Sequence, residues 1–208
     1  MMTISLSDAG KRYNRDWIFR HVNYSFNSSA SYAITGPNGS GKSTLLQAIG
    51  GSLLLNEGQI EYTMEGKPCS GENVYRHVSI CAPYLELVEE MSIKEFLDFH
   101  KVFKPFLAGL STESIIAEIG LEKALHKQIR YYSSGMKQRV KLAQCIFSDT
   151  ALVLLDEPCT NLDSTGIRLY HDLIGRYCQN RLVLVSSNDE VEYGWCSAVL
   201  NISDYKKS

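Results

Sequence analysis

Short apolar runs alternate with segments in which apolar residues return every three or four positions, the signature of strands and amphipathic helices laid down in turn. Apolar runs predict strands at residues 22–26, 31–35, 59–63, 78–81, 151–155, 181–186 and 198–202. Helical periodicity begins near Lys42, Ile93, Glu113, Ser134, Ser164 and Asp189. The run Ala151-Leu152-Val153-Leu154-Leu155 has no polar interruption, as expected of a strand covered on both faces of a parallel sheet. Between Tyr84 and Phe147 the helical pattern continues without a strand pattern, which predicts a helical lobe inserted into an α/β core. Within it Phe96, Phe99, Phe103 and Phe106 recur at helical spacing, broken by Pro105, and read as core.

Length and charge narrow the classes. A chain of 208 residues can bury a substantial core as one domain without disulfide or metal staples. Hydrophobic residues at 44% and charged residues at 21% exclude a disordered or collagen-like chain. The formal net charge of -2 gives no general attraction to phosphate backbones, so no nucleic-acid partner is expected. No apolar run approaches the roughly 20 residues needed to span a bilayer, and the first residues lack the basic start and apolar stretch of a signal peptide. The six cysteines show no C-x-x-C spacing and read as reduced thiols of a cytosolic protein.

Three segments carry chemistry. Gly36-Pro37-Asn38-Gly39-Ser40-Gly41-Lys42-Ser43-Thr44 fits G-x-x-x-x-G-K-[ST] directly after a predicted strand. Its glycines let consecutive N–H groups turn inward toward phosphate oxygens, and the following helix adds its positive end. Lys42 is placed to reach the β- and γ-phosphates, and the Ser43 hydroxyl to ligate Mg²⁺. The second segment ends the run 151–155 with Asp156-Glu157-Pro158. Carboxylates there emerge where open α/β sheets hold their ligands, with Asp156 suited to Mg²⁺ and Glu157 to an attacking water. Alone, the same residues read equally as a solvated acidic turn after a strand. The third segment is Tyr132-Ser133-Ser134-Gly135-Met136-Lys137-Gln138-Arg139, a serine-capped helix start that could hold an anion or be no more than a capped helix.

In this order the three segments resemble an ABC-type ATP-binding subunit of a membrane transporter, over residues 4–202. The resemblance implies a P-loop NTPase core with a mixed sheet and an inserted helical subdomain, one ATP-binding domain over residues 1–208 with the helical part at about 84–147. It implies ATP and Mg²⁺ as cofactors, bound by Gly36, Asn38, Gly39, Ser40, Gly41, Lys42, Ser43 and Thr44, with Ser43 and Asp156 on the metal and Glu157 catalytic. Tyr13 falls where an aromatic stacks on adenine, though locally it reads equally as a surface tyrosine. Two subunits, identical or not, would sandwich two ATP molecules. Ser133 and Gly135 would then reach the γ-phosphate across the dimer, and Asp163, in Asn161-Leu162-Asp163, would contact the opposite subunit. The family groove between core and helical lobe receives a short cytoplasmic helix of a separate integral membrane permease. Its edge here is residues 84–90, made acidic by Glu86, Glu89 and Glu90. The expected place is the cytoplasmic face of a membrane, held through that permease. Size and motif order resemble export-type subunits, including those of haem export in cytochrome c maturation.

Three departures qualify the resemblance. Tyr132-Ser133-Ser134-Gly135-Met136 stands where Leu-Ser-Gly-Gly-Gln is commonest. The family glutamine at the start of the helical lobe is missing from Cys81-Ala82-Pro83-Tyr84-Leu85-Glu86, where Tyr84 or Glu86 could supply an oxygen. Asn188 stands where the family has a histidine on the γ-phosphate. Its amide can hydrogen-bond but has no titratable proton, so binding is expected intact and turnover slow. A nucleotide switch without transport is the alternative. A ribosome- or DNA-acting ABC ATPase fits worse, lacking a second cassette, a coiled coil or basic charge, and a GTPase lacks its guanine-reading motif.

Overall fold

The structure, a computed structural model, describes residues 1–28 and 30–206. In chain order the elements are β1 (Met2–Tyr13), β2 (Asp16–Asn27), β3 (Ser31–Thr35), α1 (Lys42–Ile49), β4 (Glu57–Met64), β5 (Lys67–Cys69), β6 (Val78–Cys81), α2 (Ile93–Phe103), α3 (Thr112–Glu118), α4 (Ser134–Ile146), β7 (Leu152–Asp156), α5 (Ser164–Tyr177), β8 (Leu182–Ser186), α6 (Glu190–Tyr193) and β9 (Ala198–Asn201). They form two compact units. The first comprises Met1–Val78, Ala151–Asp156 and the chain from Asn180 onward; the second comprises Ser79–Thr150 and Glu157–Gln179.

The first unit holds two sheets. An antiparallel sheet runs β2-β1-β4-β5, and in a second sheet β7, β8, β3 and β9 lie side by side, all parallel. All residues of β7 and β8 are buried, as an unbroken apolar run demands. The register puts Asp156 opposite Ser186, Ser186 opposite Ile34, and Ile34 opposite Leu200. The carboxyl ends of β3, β7 and β8 therefore finish along one line, the edge at which such sheets bind ligands.

β1 is absent from the apolar-run prediction. Its start alternates, with Met2, Ile4 and Leu6 buried and polar residues between them, so each apolar residue stands alone and no run forms. Period two, not run length, is its signal. Past Leu6 the pairing shifts register and Asp8 takes a left-handed φ of 50°. Gly58 on β4 closes against this bulge, where an added Cβ would lie 2.2 Å from the Asp8 carbonyl oxygen.

α1 leaves the parallel sheet with Leu45, Leu46, Ala48 and Ile49 buried. Its last carbonyls are held by the hydroxyl of Tyr62, which donates to Ala48 and Ile49 at 3.4 and 3.1 Å. Burial pushes this phenol up to about 12, so it stays a donor throughout the neutral range.

In the second unit, α2 and α3 each open with a reciprocal capping box, Ser92 with Glu95 and Ser111 with Ser114. Asp98 joins the two helices: it accepts hydrogen bonds from Lys101, Lys94 and the Thr112 hydroxyl, which hold its carboxyl far below the usual range. The phenylalanine stripe is not core as a whole. α2 buries Ile93, Phe96 and Leu97 in its first half, whereas Phe99, at the flank of that stripe, and Phe103, two turns beyond Phe96 at the end of the helix, are exposed at 50% and 70%. There they pack edge-to-face on each other at 5.1 Å.

Replacing Gly58 by alanine combines a left-handed φ of 71° with a Cβ driven into backbone. We expect Gly58→Ala to lower unfolding free energy by about 2–3 kcal/mol. Urea denaturation checks this; an unchanged midpoint would mean the β1–β4 bulge yields freely.

Candidate nucleotide site

In the first unit the site grows from the end of β3. Gly36, Gly39 and Gly41 have φ of 141°, 75° and 107°, values that L side chains rarely adopt, so the chain can curl between strand and helix. At Gly41 the constraint is double, because an added Cβ would sit 2.3 Å from Ile18 Cγ2. The curl is closed by the Ser40 N–H donating to the Pro37 carbonyl at 3.0 Å. α1 starts at Lys42 with no acidic residue in its first turn, leaving the positive helix end uncompensated beside Ser43 and Thr44.

Lys42 is 6% exposed. Its ammonium donates to the carbonyls of Gly36 and Pro37 at 2.9 and 3.4 Å, inside the loop. Asn188, just past β8, grips the same loop. Its Oδ1 accepts from the Gly36 N–H at 3.2 Å and its Nδ2 donates to Asn38 Oδ1 at 3.0 Å. The family resemblance implies a phosphate contact for this residue; in the structure it braces the glycine loop.

Three buried oxygens of this unit, Ser40 Oγ, Asp156 Oδ1 and Ser186 Oγ, have no hydrogen-bond partner. Asp156 is 2% exposed and Ser186 fully buried, opposite each other on β7 and β8. Buried polar atoms are almost always satisfied, so such a group of oxygens marks a place for a ligand. A carboxylate with hydroxyls is the all-oxygen donor set that Mg²⁺ takes together with water and phosphate oxygens. Among the described residues no cluster of His, Cys, Asp and Glu could hold a metal by itself. The residues fit a cation that arrives with a phosphate. Ser186 escaped the sequence reading because nothing local marks it; only its register opposite Asp156 does.

Tyr13 ends β1, the residue 48% exposed, with the Lys11 ammonium 5.3 Å from its ring centre.

The second unit carries the remaining candidates. Glu157 is exposed and takes a left-handed φ of 44°, and Asn161 takes 65°. Such backbone in a non-glycine residue costs of order 1–3 kcal/mol and gathers at functional positions. Ser133 caps α4, its Oγ accepting from the Met136 N–H at 3.3 Å, which leaves the hydroxyl proton free to point outward. Gly135 packs so that an added Cβ would meet the Asn161 carbonyl oxygen at 3.0 Å. Asp163 caps α5 through the Gly166 N–H at 2.7 Å and lies 3.8 Å from Arg139. Ser133, Ser134, Gly135, Met136, Arg139 and Asp163 thus border one concavity of about 420 Å³. With a helix start and a guanidinium on its wall, it suits an anion.

The acidic edge read at residues 84–90 is largely neutralised. Glu89 pairs with Lys137 at 2.5 Å and Glu90 with Arg130 at 3.5 Å, while Glu86 stays exposed. Lys141 also donates to the Pro83 carbonyl at 3.0 Å. Lys137 of α4 and Arg130 just before that helix, both distant in sequence, supply the compensation. Nearby, Pro83, Glu86, Glu89, Lys137, Gln138 and Lys141 line a second cavity of about 340 Å³.

The family model described as ABC transporter matches residues 19–160. Over 186 residues the chain is 28% identical to the cytochrome c biogenesis ATP-binding export protein CcmA of Rhizobium johnstonii, covering 86% of this chain and 84% of that protein. It is 31% identical over 192 residues to the uncharacterized ABC transporter ATP-binding protein YxlF of Bacillus subtilis, covering 89% of this chain but 62% of that longer protein. The fold matches MJ0796, a bacterial ABC transporter cassette solved as a dimer, with a TM-score of 0.81 at 19% identity over 96% of this chain and 94% of that one.

Asn188→Ala removes two hydrogen bonds that brace the loop. At about 1 kcal/mol each in net value, we expect ATP affinity to fall by roughly threefold to thirtyfold. Titration with a fluorescent ATP analogue measures it, and unaltered affinity would mean the loop holds its shape unaided.

Proposed function

This chain belongs to the ABC transporter family, and from that premise we propose that it is the ATP-binding and ATP-hydrolysing subunit of a membrane transporter, dimerising around two Mg-ATP to drive transport. The observation that carries the reading is the glycine loop with a buried lysine inside it, beside partnerless buried oxygens at the carboxyl edge of a parallel sheet. Gly36, Asn38, Gly39, Ser40, Gly41 and Lys42 would cradle the phosphates, with Thr44 in the first helical turn and Tyr13 stacking on the adenine. Ser43 and Asp156 would hold Mg²⁺, which when bound neutralises charge on the phosphate oxygens. Glu157 would orient the attacking water and accept its proton.

Ser133 and Gly135 would act on the nucleotide of a second subunit, with Asp163 facing that subunit. The free Ser133 proton, the α4 start and Arg139 supply donors there, and among the described residues no carboxylate occupies the first turn of α4. The domain proposed is that of residues 1–208, with the helical part at about 84–147. No helix among the described residues is long and apolar enough to cross a membrane, so a separate permease would supply the path and place the subunit at the cytoplasmic face. An export role follows the CcmA likeness.

One observation favours the alternative of a slow nucleotide switch. Asn188 is engaged with Gly36 and Asn38, so only its second Nδ2 proton is left to serve a γ-phosphate.

Purification from detergent-solubilised native membranes tests the transporter reading. A co-purifying polytopic protein supports it; soluble partners alone would move the reading to the switch. For the chemistry, Glu157→Gln keeps the shape of the side chain and loses the base. We expect turnover to fall at least about a hundredfold, in line with loss of a general base, with ATP affinity unchanged. Retained phosphate release in a steady-state assay would defeat the role given to Glu157. Asn188→His should raise turnover if the asparagine limits the chemistry, and an equal rate would clear it.

A further inference from the structure

One buried amide in the second unit has no part in the functions above. Gln138 lies one turn into α4, 3% exposed, and its Nε2 donates to the carbonyl of Pro158 at 2.7 Å, with Cys81 Sγ 3.7 Å away. Pro158 directly follows Glu157. The carbonyl of Glu157 in turn accepts the Thr160 N–H at 3.2 Å, and that of Cys159 the Leu162 N–H at 2.9 Å. Both carbonyls at the head of this turn are therefore held, one from inside the turn and one from α4. The same helix touches the segment twice more, through Gly135 against the Asn161 carbonyl and Arg139 beside Asp163.

We propose that Gln138 is a positioning residue for Glu157: by fixing the Pro158 carbonyl it holds the left-handed turn that aims the glutamate carboxylate. The inference rests on the reading of Glu157 as the group that orients water. A glutamate at φ 44° occupies a shallow conformational well and stays there only where its surroundings over-determine it. A buried acceptor that loses its donor turns to find another. If the Gln138 amide is removed, the peptide after Pro158 rotates, the turn relaxes, and the carboxylate swings off its line. α4 opens with Ser133 and Gly135, so one rigid helix sets both the anion concavity and the glutamate of the same chain.

The test compares Gln138→Leu, which fills the space without a donor, with Gln138→Glu. Steady-state ATPase, nucleotide affinity and amide hydrogen exchange over 157–163 are measured for each. For Gln138→Leu we expect kcat to fall at least about tenfold, within the roughly hundredfold cost of a 1 Å misplacement. KM and nucleotide affinity should stay within about twofold, because the phosphate loop is untouched, and the Thr160 and Leu162 amides should exchange faster. Gln138→Glu presents a carboxylate to the carbonyl at neutral pH and a donor once protonated, so its kcat should recover toward wild type as pH falls while that of wild type does not. An unchanged kcat in Gln138→Leu, unaltered exchange, or an equal loss of nucleotide affinity would overturn the proposal. Full turnover in Glu157→Gln would instead overturn the reading of Glu157 beneath it, a result distinct from a silent Gln138→Leu.

Discussion

The organisation of the first unit depends on the alignment of three parallel strand ends. β3, β7 and β8 stop along one line across the sheet, with Ile34, Ser186 and Asp156 in register. A parallel sheet in which these strands are buried can expose polar chemistry only at its ends, because every side chain along their length faces packed atoms. The aligned ends therefore collect what the apolar strands cannot carry: the glycine loop, a carboxylate, a hydroxyl and, two residues past β8, an amide that reaches back to the loop. The cost is visible as buried oxygens without partners. Such atoms are unfavourable in a fold that stands alone and favourable in one that expects a charged ligand with its own oxygens and cation.

The second unit depends on α4 in a comparable way. Its first turn presents serine and glycine. Its next turn directs Lys137, Gln138 and Arg139 to Glu89, Pro158 and Asp163 respectively. The helix thus spaces the residues on either side of it, and its Lys137 compensates Glu89 of the segment that lines the neighbouring cavity. Charge that looks unbalanced when read along the chain is balanced when read across the helix.

Most of the architecture was legible in the sequence because apolar runs and helical periodicity reflect burial directly. β3 and β6 lie at the predicted residues, and β7, β8 and β9 within one residue at either end. What stayed hidden depended on pairing between distant residues. β1 was missed because its apolar residues alternate singly and gain their meaning only beside β2 and β4. The Phe99–Phe103 pair was misread because helical spacing alone does not say how far along α2 the burial extends. The curl of the glycine loop could be read from local spacing, since each of its three positive-φ glycines answers a backbone demand. Ser186, Gln138 and the bracing by Asn188 could not be read so, because their significance lies in register or in a contact across the fold.

The buried position of Lys42 has a consequence for how a phosphate would enter and leave. The ammonium is already dehydrated and already bonded, with the carbonyls of Gly36 and Pro37 as its partners. An arriving phosphate would therefore exchange with two neutral acceptors and need not strip water from a free cation. A departing one would hand the ammonium back to the same carbonyls. The loop would so carry an internal placeholder for a phosphate, and its curled shape could outlast each departure without being rebuilt for the next arrival.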